Sequence, residues 1–168
     1  IALLFFSRNK NESEKSKRTI GALYMTMNNP YFEVINEEIK AVVESKGDVL
    51  ETRDSGMDAK VQAKQVEKFI EEKVDCILIN AVDWKKIGSS LEKAKKAGIP
   101  VIAVDTLIYN RNFVDGTVVS NNYQAGEQCA KDLMKRRKKG KLLFLVQSEN
   151  KSAIDRIKGF KETLEKAG

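Results

Sequence analysis

The sequence predicts an α/β fold in which a doubly wound parallel sheet forms a first lobe and the beginning of a second. From Thr19 onward, short runs rich in β-branched residues alternate with longer stretches of helical apolar period, the pattern of successive βαβ units. Capping and turn residues fall at the joints between these runs. With 42% apolar and 32% charged residues of both signs over 168 positions, the chain can build a core and keep a solvated surface.

The first strand is read over Ile20 to Met27, followed by Asn29 as a helix cap, Pro30 in the first turn and a helix over Tyr31 to Ser45. Gly47 closes that helix, and Val49 to Arg53 forms the second strand. Asp58 caps a helix running to Glu72, Cys76 to Ile79 is the third strand, and Asp83 caps a helix over Trp84 to Ala97. After Gly98 come strands at Pro100 to Val104 and Thr117 to Val119. Asn122 caps a helix over Tyr123 to Arg137, Leu142 to Val146 reads as a sixth strand, and Ser152 with Asp155 resembles a capping box for Ser152 to Lys166.

Ahead of the folded pattern, the apolar run Ile1 to Phe6 leads into a charged stretch, Ser7 to Arg18, without hydrophobic period. Residues 1–18 are read as the tail of a signal peptide or membrane anchor and a linker, with cleaved and retained forms both open. An edge strand is the competing reading of Ile1 to Phe6.

Several chemistries lack their residues. The chain has no histidine, so imidazole is absent as general base, metal ligand or pH switch. Cys76 and Cys129 have neither CxxC spacing nor partner ligands and read as small core hydrophobes. The turn Met27 to Tyr31 contains no glycine, which excludes a dinucleotide fingerprint or phosphate loop there, and no GxSxG, HExxH or EF-hand pattern occurs. We therefore expect no enzyme activity, no catalytic residues, no cofactor and no metal. The net charge of +6 is concentrated in Lys135, Arg136, Arg137, Lys138, Lys139 and Lys141, at a helix carboxyl end where cations complement the dipole. No aromatic residue interleaves with them, so no nucleic-acid partner is expected.

In an open parallel sheet, ligands bind beyond the carboxyl ends of the strands. Those ends carry Asn28, Asn29, Pro30, Tyr31 and Phe32, then Arg53, Asp54 and Ser55, then Asn80 and Asp83, then Asp105 and Thr106. Amides and carboxylates suit vicinal hydroxyls, and Tyr31 and Phe32 suit the apolar faces of a sugar ring. Asn29 and Asp83 serve equally well as helix caps; turn chemistry competes less well at Asn80 and Asp105, because a strand end aims them at the crevice; Phe32 is the residue that reads most readily as core instead, and Trp84 reads as packing rather than as a lid.

The strings Met25-Thr-Met-Asn-Asn-Pro-Tyr-Phe32, Val74-Asp-Cys-Ile-Leu-Ile-Asn80-Ala-Val-Asp83 and Ala97-Gly-Ile-Pro-Val-Ile-Ala-Val-Asp105 resemble the ribose-type, type I periplasmic sugar-binding proteins of bacterial uptake systems. So do Val119-Ser-Asn-Asn122 with Gly126, and Ser152-Ala-Ile-Asp-Arg156-Ile-Lys-Gly-Phe160. The resemblance implies an extracytoplasmic receptor for a small sugar or polyol, with an ABC permease or a membrane sensor as partner and membrane contact only through a retained anchor. It implies that Asn29, Tyr31, Phe32, Asn80 and Asp105 line the sugar from the first lobe, residues 19–120, and that Arg156 does so from the start of the second, residues 121–168. Ser120 and Asn121 fall at the hinge about which the lobes would close.

Two departures stand out. Thr106 follows Asp105 where ribose binders usually place an arginine, which removes a bidentate donor. The family's chains also continue through more β/α units, so a truncated chain with half a cleft and an exposed sheet edge is expected. Competing readings are the effector domain of a LacI-type regulator, which needs a helix-turn-helix that Ile1 to Arg18 does not offer, the sensor domain of a membrane kinase or chemoreceptor, and an enzyme of flavodoxin-like fold.

Overall fold

The computed structural model describes residues 16–137, 139–146 and 150–168. The apolar run Ile1 to Phe6, the linker as far as Lys15, and Lys138 of the basic run lie outside the described residues.

Five strands form one parallel sheet in the order β2-β1-β3-β4-β5: β1 (Thr19–Tyr24), β2 (Val49–Asp54), β3 (Cys76–Ile79), β4 (Val101–Val104) and β5 (Gly116–Val118). The chain steps outward from β1 to β2, then returns to the other side for β3, β4 and β5. That reversal opens a crevice at the carboxyl ends of β1 and β3.

Each helix follows from its local sequence. In α1 (Pro30–Glu44) the Asn29 side chain accepts from the Tyr31 N–H, and Phe32, Ile35 and Ile39 fall on one face at helical spacing. They pack on Ala22, Tyr24 and Leu78, the residues that β1 and β3 turn to that side. On the opposite face, α2 (Ala59–Glu71) contributes Val66 and Phe69, and α3 (Gly88–Lys96) contributes Leu91 and Ala94, against Leu23, Ile77, Ile79, Val101 and Ala103. Phe69 is fully buried, a contribution of about 1.5–3 kcal/mol. Its ring fits because position 21 is glycine: a Cβ there would sit 2.5 Å from the Phe69 ring.

Beyond β5, α4 (Asn122–Arg136) and α5 (Lys151–Ala167) pack against each other. Gly126 and Gly159 make this close crossing possible, since a Cβ on Gly126 would lie 1.9 Å from the Arg156 carbonyl oxygen and one on Gly159 2.1 Å from that of Tyr123. Tyr123 adds a hydrogen bond from its hydroxyl to Glu162 at 2.6 Å.

Five expectations about elements change. β1 ends at Tyr24 instead of Met27, because the Met25 N–H turns to the Asn80 side chain and the Met25 carbonyl to the Met57 N–H. Asp83 caps a turn through the N–H groups of Lys85 and Lys86, and α3 starts only at Gly88. Asn121 rather than Asn122 caps α4, and Asn150 rather than Ser152 caps α5. The sixth strand is not formed: residues 141–146 pair with no strand among the described residues, and Leu143 and Leu145 are 88% and 91% exposed while Phe144 packs edge-on against Phe160 at 5.3 Å. The composition is right for a strand, but a ladder needs a neighbour.

Candidate functional site

The carboxyl ends of β1, β3 and β4 converge on Asp105. Its backbone lies in the left-handed region at φ 63°, sustained by an N–H bond to the Val118 carbonyl at 2.8 Å. Asp is among the few residues that tolerate this conformation, and the turn carries its carboxylate to the strand tips. Oδ2 accepts from Asn80 Nδ2 at 3.3 Å and Oδ1 from the Tyr31 hydroxyl at 3.3 Å. Burial pushes the Asp105 carboxyl above the usual 3.8, against the opposing pull of the Tyr31 hydroxyl, the Arg156 charge and the Asn80 amide.

Asn80 is 1% exposed and holds the tips of three strands together. Oδ1 accepts from the Met25 N–H at 3.3 Å, and Nδ2 points to the Val104 carbonyl and the Thr106 hydroxyl as well as to Asp105. It thus lies beneath the groove, positioning Asp105, and does not face solvent. Thr106 is also 1% exposed, with its hydroxyl spent on Asn80. Gln62, fully buried on α2, clamps the same turn from below, donating to the Asn80 carbonyl at 3.0 Å and accepting from the Val82 N–H at 2.9 Å.

The aromatic pair divides. Phe32 is 5% exposed in the core beside Tyr24, whereas Tyr31 is 50% exposed and stands edge-on to Phe32 at 5.4 Å with its hydroxyl at Asp105. Asn29 is exposed, with its carbonyl oxygen engaged as the α1 cap.

From the other side, α5 brings its amino end to the same place. The Ser152 hydroxyl donates to the Asp105 carbonyl oxygen at 3.2 Å, so this residue, read as a helix cap, instead ties α5 to the end of β4. Lys151 pairs with Asp155 and holds its ammonium 5.8 Å from the centre of the Trp84 ring, which meets Tyr109 edge-on. Arg156, one turn further on, is exposed; its Nε donates to Asn122 Oδ1 at 2.7 Å, and its charge acts on both Tyr31 and Asp105. Between the two halves of this arrangement, Ser120 gives its carbonyl to the Asn122 N–H and side chain while Asn121 caps α4, so only Val119 to Asn121 links β5 to α4.

Tyr31, Asp105, Asn80, Ser152 and Arg156 therefore share one neighbourhood, with Asn29 at its edge and Phe32 behind it. Sequence reasoning missed Gln62 and Ser152. The first had a signal, a polar residue on the apolar face of α2 with Val66 and Phe69. No group of His, Cys, Asp or Glu suited to hold a metal occurs among the described residues. The arrangement offers one carboxylate, a guanidinium and a phenol beyond the strand tips, which is equipment for holding hydroxyl groups.

Residues 20–168 match the family described as periplasmic binding protein domain. The ribose import binding protein of Bacillus subtilis is 30% identical over 125 residues, 74% of this chain and 41% of that protein. The D-apiose import binding protein of Actinobacillus succinogenes is 27% identical over 139 residues, 82% of this chain and 45% of that protein. The chain spans about half the length of the curated relatives it matches, between 41% and 56% for the ribose and apiose proteins. Among solved structures, a galactofuranose binding protein aligns with a TM-score of 0.78 at 27% identity, covering 89% of this chain and 52% of the other. A solute binding protein from Bacillus halodurans with bound myo-inositol aligns with a TM-score of 0.83 at 21% identity, covering 91% and 54%, a likeness of fold.

Proposed function

This chain belongs to the periplasmic binding protein domain family, and on that premise we propose that it is part of an extracytoplasmic receptor that binds a small sugar or polyol for ABC-type uptake or chemosensing. The observation that carries this reading is the convergence of Tyr31, Asp105 and Arg156 on one groove, supported from beneath by Asn80. An ionised carboxylate accepts from ligand hydroxyls, a guanidinium donates to them, and the exposed ring of Tyr31 covers an apolar sugar face. The relatives named as ribose and apiose import binding proteins support the ligand class and the ABC partner.

In this reading residues 19–120 form the first lobe, residues 121–168 begin the second, and Ser120 with Asn121 is the hinge. Asn29, Tyr31, Asp105 and Arg156 touch ligand, while Asn80 and Phe32 position them. The ligand leaves unchanged, without catalytic group, metal or cofactor. Residues 1–18 serve export as a signal or anchor and a linker.

The test is a thermal-shift screen of the full-length protein against pentoses, hexoses and polyols. A ligand that binds only the folded state raises the melting temperature, by about 2.7 kcal/mol of stability at a hundredfold excess over Kd. A shift with one of these sugars that disappears in Asp105→Ala is expected. No shift with any of them defeats the sugar reading.

A further inference from the structure

The bonds already made to Asp105 restrict which sugar the groove accepts. A carboxylate offers about four lone-pair directions on two oxygens. Asn80, fully enclosed, reaches one on Oδ2. The Tyr31 hydroxyl occupies one on Oδ1, and it arrives from the open side of the groove, from a residue that is half exposed. Tyr31 is held there at both ends of its residue: its N–H is bonded to the Asn29 cap, and its ring leans on buried Phe32. Thr106, next in the chain, is turned inward to Asn80 and brings no further donor to the groove.

We propose that the Tyr31 hydroxyl is a specificity-determining group which stands in for a ligand hydroxyl on Asp105, so that the site prefers a deoxy sugar to its fully hydroxylated counterpart. A ligand hydroxyl directed along the Oδ1 lone pair that Tyr31 holds has to displace the phenol and break the bond already made there. A ligand with hydrogen at that corner leaves the Tyr31 bond in place while its other hydroxyls use the remaining acceptor directions of Asp105. The inference rests on the sugar-binding reading and narrows it.

The experiment is calorimetric titration of the full-length protein and of its Tyr31→Phe variant with three pairs of sugars, each pair differing by one hydroxyl: 2-deoxy-D-ribose and D-ribose, 2-deoxy-D-glucose and D-glucose, D-fucose and D-galactose. In the unaltered chain the deoxy member of at least one pair is expected to bind tenfold or more tightly. In Tyr31→Phe, which removes one oxygen and keeps the ring, that ratio is expected to fall at least fivefold because the hydroxylated member gains affinity. Preference for the hydroxylated member in every pair that binds, or a ratio unchanged in Tyr31→Phe, overturns the inference alone. Binding of none of the six sugars overturns it together with the sugar reading.

Discussion

Asn80 and Asp105 meet across the ends of neighbouring strands, the amide nitrogen of one 3.3 Å from a carboxylate oxygen of the other. The same amide group reaches the Met25 N–H and the Val104 carbonyl, so one side chain ties β1, β3 and β4 at their tips. Asn80→Ala leaves those buried groups unpaired, and we expect a loss of about 2–4 kcal/mol in urea unfolding. Sugar affinity should fall with it, since Asp105 loses its support.

Asp105 gives a pH dependence of definite sign. Its pKa is raised in the folded chain by burial, so between the usual 3.8 and that raised value the folded state holds more protons than the unfolded. Stability contributed by this group therefore falls as pH rises through that window. Asp105→Asn, which carries no charge, should be the more stable protein at neutral pH, and the gap should close as pH drops below the usual carboxylate value. If the ionised carboxylate accepts ligand hydroxyls as proposed, ligand binding should weaken on acidification before an ordinary carboxylate would titrate. Denaturant melts and titrations across pH 3 to 7 check both signs; a gap that widens in acid contradicts them.

Tyr24 is 3% exposed, and its hydroxyl has no hydrogen-bond partner among the described residues. Burial alone pushes the phenol up to about 12. Tyr24→Phe keeps the ring contact with Phe32 and removes the unpaired oxygen. A gain of about 1 kcal/mol in chemical unfolding is the expected result.

The two cysteines, both read from the sequence as small core hydrophobes, differ in the structure: Cys129 is on the outer side of α4 and not in the core, and the two should differ in reactivity. Cys129 is exposed, whereas Cys76 lies in β3 with its thiol pushed up to about 11, chiefly by burial. Since the thiolate is the nucleophile, a thiol reagent at neutral pH should label Cys129 first and Cys76 slowly. Peptide mapping after brief labelling reads this directly.

At the α4–α5 crossing, Gly126→Ala would force a methyl to within 1.9 Å of the Arg156 carbonyl oxygen. The helices have to part, at a cost of about 1–3 kcal/mol in thermal or chemical unfolding. Arg156 would move with them, so affinity should drop as well.

Much of this architecture was legible in the sequence because each signal is local. Apolar periodicity located the five strands that form, and Asn29 and Asp58 cap the helices they were read to cap. What failed depends on partners distant in the chain. Leu142 to Val146 has the composition of a strand, yet pairing is decided by a neighbour, and none stands beside it among the described residues. Ser152 looked like a cap because hydroxyls cap helices, but its hydroxyl donates instead to the Asp105 carbonyl, 47 residues away. Asn80 was read at the right strand end, and its burial follows from Gln62 and Thr106, whose enclosure no local pattern reveals. The family resemblance supplied what periodicity could not, the grouping of Tyr31, Asp105 and Arg156.

The left-handed turn at Asp105 reaches beyond its own geometry. Few side chains can occupy such a main-chain shape without strain, and of those asparagine and glycine carry no charge. The polypeptide's path thereby narrows position 105 to a short list on which aspartate alone supplies an anion at the strand tips, whatever the ligand. New preferences among sugars would then have to be acquired at the walls of the groove, where Tyr31 sits on an ordinary helix that accepts almost any replacement.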